Sequence, residues 1–149
     1  MRFGRDEADL IFRGLFCLIF VGLGAEHLFS DQLIQRLMPE WIPYPRMASI
    51  VCGVWLTVWG GLILIGYQVK LAAFALGVFL VIVTVLVHVP GVIMEPTLPE
   101  DVAWMWTILQ RSNLAKNLCL LGVCFMLFYH DLGKYSVEHY LGRDSSKKS

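Results

Sequence analysis

Apolar residues run along this chain in long blocks rather than in an alternating or one-faced pattern. Residues 71–87 (LAAFALGVFLVIVTVLV) contain one threonine and no charge. A soluble helix carries a polar face, so such a block predicts a helix whose solvent is lipid. Crossing a bilayer takes roughly 20 mostly apolar residues, and four segments qualify: about 10–29, 46–66, 70–90 and 113–130. Between them lie RLMPEWIPYPR (36–46), a short YQVK turn (67–70) and the longer stretch 92–113. The pattern predicts an all-α fold, an integral membrane four-helix bundle made by residues 1–134, with a basic tail over 135–149. The end of that tail, RDSSKKS, has the composition of a disordered segment. A soluble bundle with buried helices is the competing reading.

Composition favours the membrane. The chain is 57% hydrophobic and 16% charged, against about a quarter charged in a soluble domain. The formal net charge is zero, which argues against a nucleic-acid partner. The first block is longer than the apolar core of a signal peptide and carries Arg13, Glu26 and His27, so it is expected to be a span. Four spans put both termini on one side. That side holds Arg2, Arg5, Lys70, Lys134, Arg143, Lys147 and Lys148, while the other holds Arg36, Arg46 and Arg111, with Lys116 near the start of the fourth span. The basic excess places both termini in the cytoplasm, in a bacterial cytoplasmic (inner) membrane.

This orientation gathers polar chemistry at the outer end of the bundle. Glu26 and His27 close the first span, Arg46 opens the second, His88 closes the third, and Lys116 and Asn117 start the fourth. The inner half is expected to hold only Arg13, with its charge snorkelling to the headgroups. At about 100° per residue, Gly77, Thr84 and His88 share one stripe, as do Gly53, Thr57 and Gly60, and Asn117 and Cys124. On the first span Phe16, Phe20, Leu23 and His27 share a side, with Glu26 turned about 100° away. Small residues mark close helix contacts in membranes, so these stripes face the bundle. Pro90 and Gly91 predict the end of the third helix. Pro99 followed by Glu100 and Asp101 predicts a separate short helix over 99–111, lying on the outer surface. Trp104 and Trp106, with Trp41 and Tyr44, then form an interfacial belt or line a ligand mouth.

Ionisable groups inside a membrane are expensive and read as functional by default. His27 and His88 could hold a ligand, or could tie helices by hydrogen bonds. As a ligand site they could bond a quinone carbonyl and move a proton, or less favourably ligate a haem. Lys116 could pair with Glu26 or an anionic ligand, and Asn117 could bridge helices. No metal site is expected, because no Cys/His cluster has ligand spacing. Cys17, Cys52, Cys119 and Cys124 form no C-x-x-C and read as apolar packing, with Cys52 and Cys119 at similar depth for a conceivable pair.

Four stretches together resemble the DoxX family of small four-helix membrane proteins. They are RGLFCLIFVGLGAEHLF (13–29), MPEWIPYPRMASIVCGVWLTVWGGLILIG (38–66), KLAAFALGVFLVIVTVLVHVPGV (70–92) and LAKNLCLLGVCFML (114–127). The matching positions are His27, Pro43, Gly60, Gly61, His88, Pro90 and Asn117. The resemblance implies an oxidoreductase-associated membrane protein. Some relatives are subunits of thiosulfate:quinone oxidoreductase, and others take part in oxidative-stress or quinone resistance. It implies no established catalytic set.

The expected role is therefore quinone-linked redox chemistry, as a membrane subunit working with a separate electron-donor protein. The expected ligand-binding residues are His27, His88, Asn117, Lys116, Trp104, Trp106, Glu26 and Arg46. The alternative is a non-catalytic structural or assembly subunit of a larger membrane complex. A small-solute transporter is third, because the inner half offers almost no polar path.

Overall fold

The computed structural model describes residues 4–30, 38, 41–94 and 100–142. The expectations for Arg2, Arg36, Pro39, Pro99 and the RDSSKKS tail lie outside these residues. Those described are helical, with no strand among them: α1 (Arg5–Phe29), α2 (Pro45–Ile65), α3 (Val69–Ile93), α4 (Glu100–Leu127) and a single turn α5 (Val137–Tyr140). Helices α1, α2 and α3 are long and apolar enough to cross a membrane. Helix α4 is as long, but its middle carries Gln110, Arg111, Asn113, Lys116 and Asn117.

Local signals set the ends. Asp6 and Glu7 fall in the first turn of α1, where carboxylates face the positive end of the helix dipole. Pro45 takes the first position of α2, where a missing N–H costs nothing. Gly66 ends α2 at φ 69°, with its N–H on Ile63 O at 3.0 Å and the Tyr67 N–H on Leu62 O at 2.9 Å. This is a Schellman closure, and its left-handed residue favours glycine.

Pro90 and Gly91 do not stop the third helix, contrary to expectation; α3 runs on to Ile93. A π-helical turn over Thr84–His88 explains it. In an unbroken α-helix the Pro90 ring would strike the carbonyl four residues back and leave it unpaired. The π turn widens the backbone just before the proline, with the Val89 N–H reaching Thr84 O. The separate surface helix over 99–111 is likewise absent. Residues 100–121 hold no proline or glycine, so nothing breaks the helix, and α4 is continuous from Glu100.

Helix α1 packs along α2, α2 along α3, and α3 antiparallel along α4. The α1–α2 crossing is close because both helices put glycine there. A methyl on Gly24 would come within 2.9 Å of the Gly53 carbonyl oxygen, and one on Gly53 within 2.9 Å of that of Gly24. Gly60 in turn admits Phe20. The Trp55 indole N–H donates to Ala75 O at 3.3 Å, joining α2 to α3. The core holds Phe16, Cys17, Phe20, Leu56, Ile63, Leu76, Leu80, Cys124 and Leu127. Outside it, Leu15, Leu18, Phe74 and Phe125 are largely exposed. A surface this apolar suits lipid rather than water.

The end of the bundle that carries Arg5 and Tyr140 departs most from expectation. Arg13 does not snorkel: it is 0% exposed. Its Nε donates to Asp9 Oδ2 at 3.0 Å, Nη1 to Leu64 O at 2.6 Å and Nη2 to Tyr135 O at 2.7 Å. The Leu64 carbonyl lies in the last turn of α2, where the helix offers it no donor. Asp9, 3% exposed, also accepts from His130 Nε2 at 2.6 Å and from the Gly133 N–H at 3.1 Å. Further out, Arg5 meets Asp131 at 3.2 Å, and Lys134 lies 3.5 Å from both Asp6 and Glu7. Contact with Tyr135, then with the Glu7 and Asp6 carboxylates, raises the Lys134 ammonium above the ordinary lysine range.

Removing one partner of a buried ion pair typically costs about 3–5 kcal/mol, because the other charge is left uncompensated. Arg13→Met is therefore expected to lower detergent-solubilised stability by about that much. Asp9→Asn combined with Arg13→Met should cost less than the two single losses summed. Thermal melts of the four proteins as a double-mutant cycle check this; additive losses would show the pair uncoupled.

Candidate functional site

Opposite the Arg13 cluster, a belt of polar side chains crosses all four long helices. Each histidine expected there is held by its Nδ1. His27, in the last turn of α1, lies 3.1 Å from Ser49 Oγ of α2, and the Ser49 hydroxyl donates to the His27 carbonyl at 3.1 Å. A serine hydroxyl has one hydrogen. With that hydrogen spent on the carbonyl, Ser49 Oγ accepts from the ring, so His27 carries its proton on Nδ1. His88, in the π turn, lies 2.9 Å by its Nδ1 from Gln110 Oε1 of α4. A carbonyl oxygen only accepts, so His88 takes the same tautomer. In both rings the neutral form leaves Nε2 with an open lone pair.

The helices place these groups by simple means. Close approach at Gly53 brings the His27 side chain onto α2, since a methyl on Gly53 would meet His27 Cβ at 3.0 Å. Gly91 leaves room for Gln110, whose Cδ would lie 2.8 Å from a methyl there. One turn below His88, the Asn117 amide donates to Thr84 Oγ1 at 3.3 Å, and both residues are buried. The Gly77–Thr84–His88 stripe therefore faces α4. Lys116 Nζ donates to Asn113 Oδ1 at 3.0 Å within its own helix. Exposed Glu26 lies near enough for its charge to act on Lys116 and His27.

The remaining expected residues sit further out. Arg46 is exposed in the first turn of α2. Trp104 is exposed and donates its indole N–H to Asp101 O at 2.8 Å, folding onto its own helix. Trp106 is half-buried. His27 and His88 are tied to different helices, and no hydrogen bond among the described residues joins them. The four cysteines are free thiols, Cys119 exposed and Cys52 half-buried, so the conceivable Cys52–Cys119 pair is not made. No group of three or more metal-ligating side chains occurs among the described residues.

Sequence reading missed Ser49 and Gln110, the groups that set the tautomers. Their types are too common to signal a role. It also missed Asp9 and His130. The i, i+4 spacing of Asp9 and Arg13 in an apolar helix was the available signal for the ion pair.

Long apolar helices with buried charged and polar groups at both ends define a membrane protein. The DoxX family model matches residues 8–89, just over half of the chain, and the protein belongs to that family. The matched part contains His27 and His88, while α4 lies beyond it. No curated protein and no solved structure matches it.

Interhelical hydrogen bonds in membranes are worth roughly 0.6–2 kcal/mol. Asn117→Leu should cost about that, and Thr84→Val should add little once Asn117 is gone. Equilibrium unfolding in mixed micelles reads both numbers; full additivity would mean that the bond contributes nothing.

Proposed function

We propose that this protein is the membrane subunit of a quinone-linked redox system, with its site in the polar belt at the outer end of the bundle. The observation that carries this reading is that His27 and His88 each make their interhelical contact through Nδ1, with Ser49 Oγ and Gln110 Oε1. Each ring is fixed through Nδ1 and offers Nε2 as a proton acceptor. A base oriented in this way takes a proton from a hydroxyl and, once protonated, donates to a carbonyl oxygen. A benzoquinone and its quinol present those two groups.

In this reading His88 holds one headgroup oxygen and exchanges its proton, with Gln110 fixing the ring. Asn117 and Thr84 form the polar floor. Lys116 and Glu26 supply charge beside it, Arg46 lies at the rim, and Trp104 and Trp106 stand at the outer margin. His27 provides a second proton acceptor on α1. Reduction of a quinone takes two electrons and two protons. The histidines account for the protons, and a separate donor protein supplies the electrons. The second half of α4 completes a four-span domain in the cytoplasmic membrane of a bacterium. The basic residues at the Arg13 end of the bundle, Arg5, Lys70 and Lys134 among them, support a cytoplasmic location for that end.

A second reading rests on the same hydrogen bonds. Ser49 and Gln110 already give each histidine an interhelical partner, as a structural subunit needs. One experiment separates the two. Quinone extracted from protein purified in mild detergent should be near stoichiometric in the wild type. His88→Ala should weaken binding of decylubiquinone about tenfold, the loss of one good hydrogen bond, while the fold loses no more stability than one interhelical hydrogen bond supplies. Undiminished binding in His88→Ala would overturn the quinone reading. A bare protein that always co-purifies with a large complex would establish the structural one, and a Soret band would mark haem instead.

A further inference from the structure

Glycine is a poor helix former, yet Gly91 stands inside α3, just after Pro90 and before the helix ends at Ile93. No left-handed backbone requires it: positive φ among the described glycines is confined to Gly66 and Gly142. Space requires it. A methyl at Gly91 would lie 2.8 Å from Cδ, 3.0 Å from Cγ and 3.0 Å from Oε1 of Gln110. The Gln110 amide, on a residue only 4% exposed, therefore fills the notch that the missing side chain leaves. Its Oε1 is the atom that meets His88 Nδ1 at 2.9 Å.

The π turn brings this notch into place. Its wider coil takes about one residue more per turn than an α-helix. At the start of the turn, Thr84 ties α3 to α4 through Asn117. With that tie kept, closing the turn to α geometry would advance the outer end of α3 by about 100°, the rotation of one residue. Pro90 would then stand where Gly91 stands now, and its Cβ would meet the Gln110 amide.

We propose that Gly91 is a positioning residue for His88 and acts through Gln110. The glycine admits the amide, the amide holds one nitrogen of the ring, and the other nitrogen is left for the ligand. The effect of Gly91 on ligand affinity rests on the headgroup reading given above; its effect on the ring does not. A methyl at this position displaces only the tip of a flexible side chain. The fold should therefore survive Gly91→Ala while the ring is released.

The test reads the ring directly. Full-length protein with labelled histidine is placed in nanodiscs without ligand, and the ring nitrogens are observed by NMR. Loss of signal in His88→Ala assigns those of His88. The wild type should show one fixed N–H form. Gly91→Ala should replace it with the averaged signals of a ring exchanging between its two N–H forms. Gln110→Met, which keeps the bulk and removes the acceptor, should do the same. Gly91→Ala combined with Gln110→Met should go no further than Gln110→Met alone. Decylubiquinone affinity should fall about fivefold in each single variant, the loss of one side chain's pre-ordering, and further in His88→Ala. The melting temperature of Gly91→Ala should stay near that of the wild type, because alanine's helix propensity offsets the displaced amide. An unaltered His88 spectrum in Gly91→Ala overturns the proposal, as does one in Gln110→Met if alanine at 91 prevents folding. A further change in the double variant also overturns it. So does a released ring that keeps full decylubiquinone affinity while His88→Ala loses it. Full affinity in His88→Ala as well overturns the headgroup reading alone, and the positioning of the ring stands.

Discussion

The interaction on which the fold depends most is the buried ion pair between Asp9 and Arg13. A guanidinium fully removed from solvent is tolerable only when its charge and its hydrogens are matched. Arg13 meets this by reaching three elements at once: the Asp9 carboxylate in its own helix, the Leu64 carbonyl at the end of α2, and the Tyr135 carbonyl after α4. Asp9 is matched in turn by His130 and Gly133. The requirement to satisfy these two residues holds the start of α1, the α2–α3 turn and the segment after α4 together. Gly66 and Gly133 serve the same junction. A side chain on Gly66 would collide with Ser136 and Arg13, and one on Gly133 with Asp6 and Asp9.

With one end locked, the other can carry weaker and more adaptable ties. There the helices are joined by neutral hydrogen bonds, His27 to Ser49, Asn117 to Thr84 and His88 to Gln110. Each is modest in strength, and none places a full charge in the apolar interior. Among the described residues, neither histidine makes a hydrogen bond through its second ring nitrogen. The π turn belongs with this end. It lets Pro90 remain inside a helix and gives His88 a backbone unlike the rest of α3. Such turns recur at functional positions.

The fold was largely legible in the chain, and the polar pairings were not. The spans about 10–29, 46–66 and 70–90 lie within or close to helices Arg5–Phe29, Pro45–Ile65 and Val69–Ile93. The glycine stripe of α2 meets α1 as its spacing suggested. Errors came where a local signal was outweighed by its surroundings. Pro90 signals a stop, but a π turn absorbs it. Glu100 and Asp101 suggest a separate surface helix, but nothing downstream interrupts α4. Arg13 suggests snorkelling, but a carboxylate one turn away and two backbone carbonyls offer it better partners than the headgroups.

The division has a physical reason. Lipid offers the backbone no hydrogen bonds, so an apolar block of sufficient length must satisfy its own, and a helix is the local way to do so. Block length and composition therefore determined the spans and the membrane class from sequence alone. A polar side chain within such a span must find a partner elsewhere, and those partners lie far along the chain. Arg13 finds Tyr135 122 residues away, and Asp9 finds His130 121 residues away. His27 and His88 find theirs on neighbouring helices, 22 residues off in each case. Which groups are neutralised, which tautomer each histidine holds and which nitrogen stays open were decided only by how the helices pack.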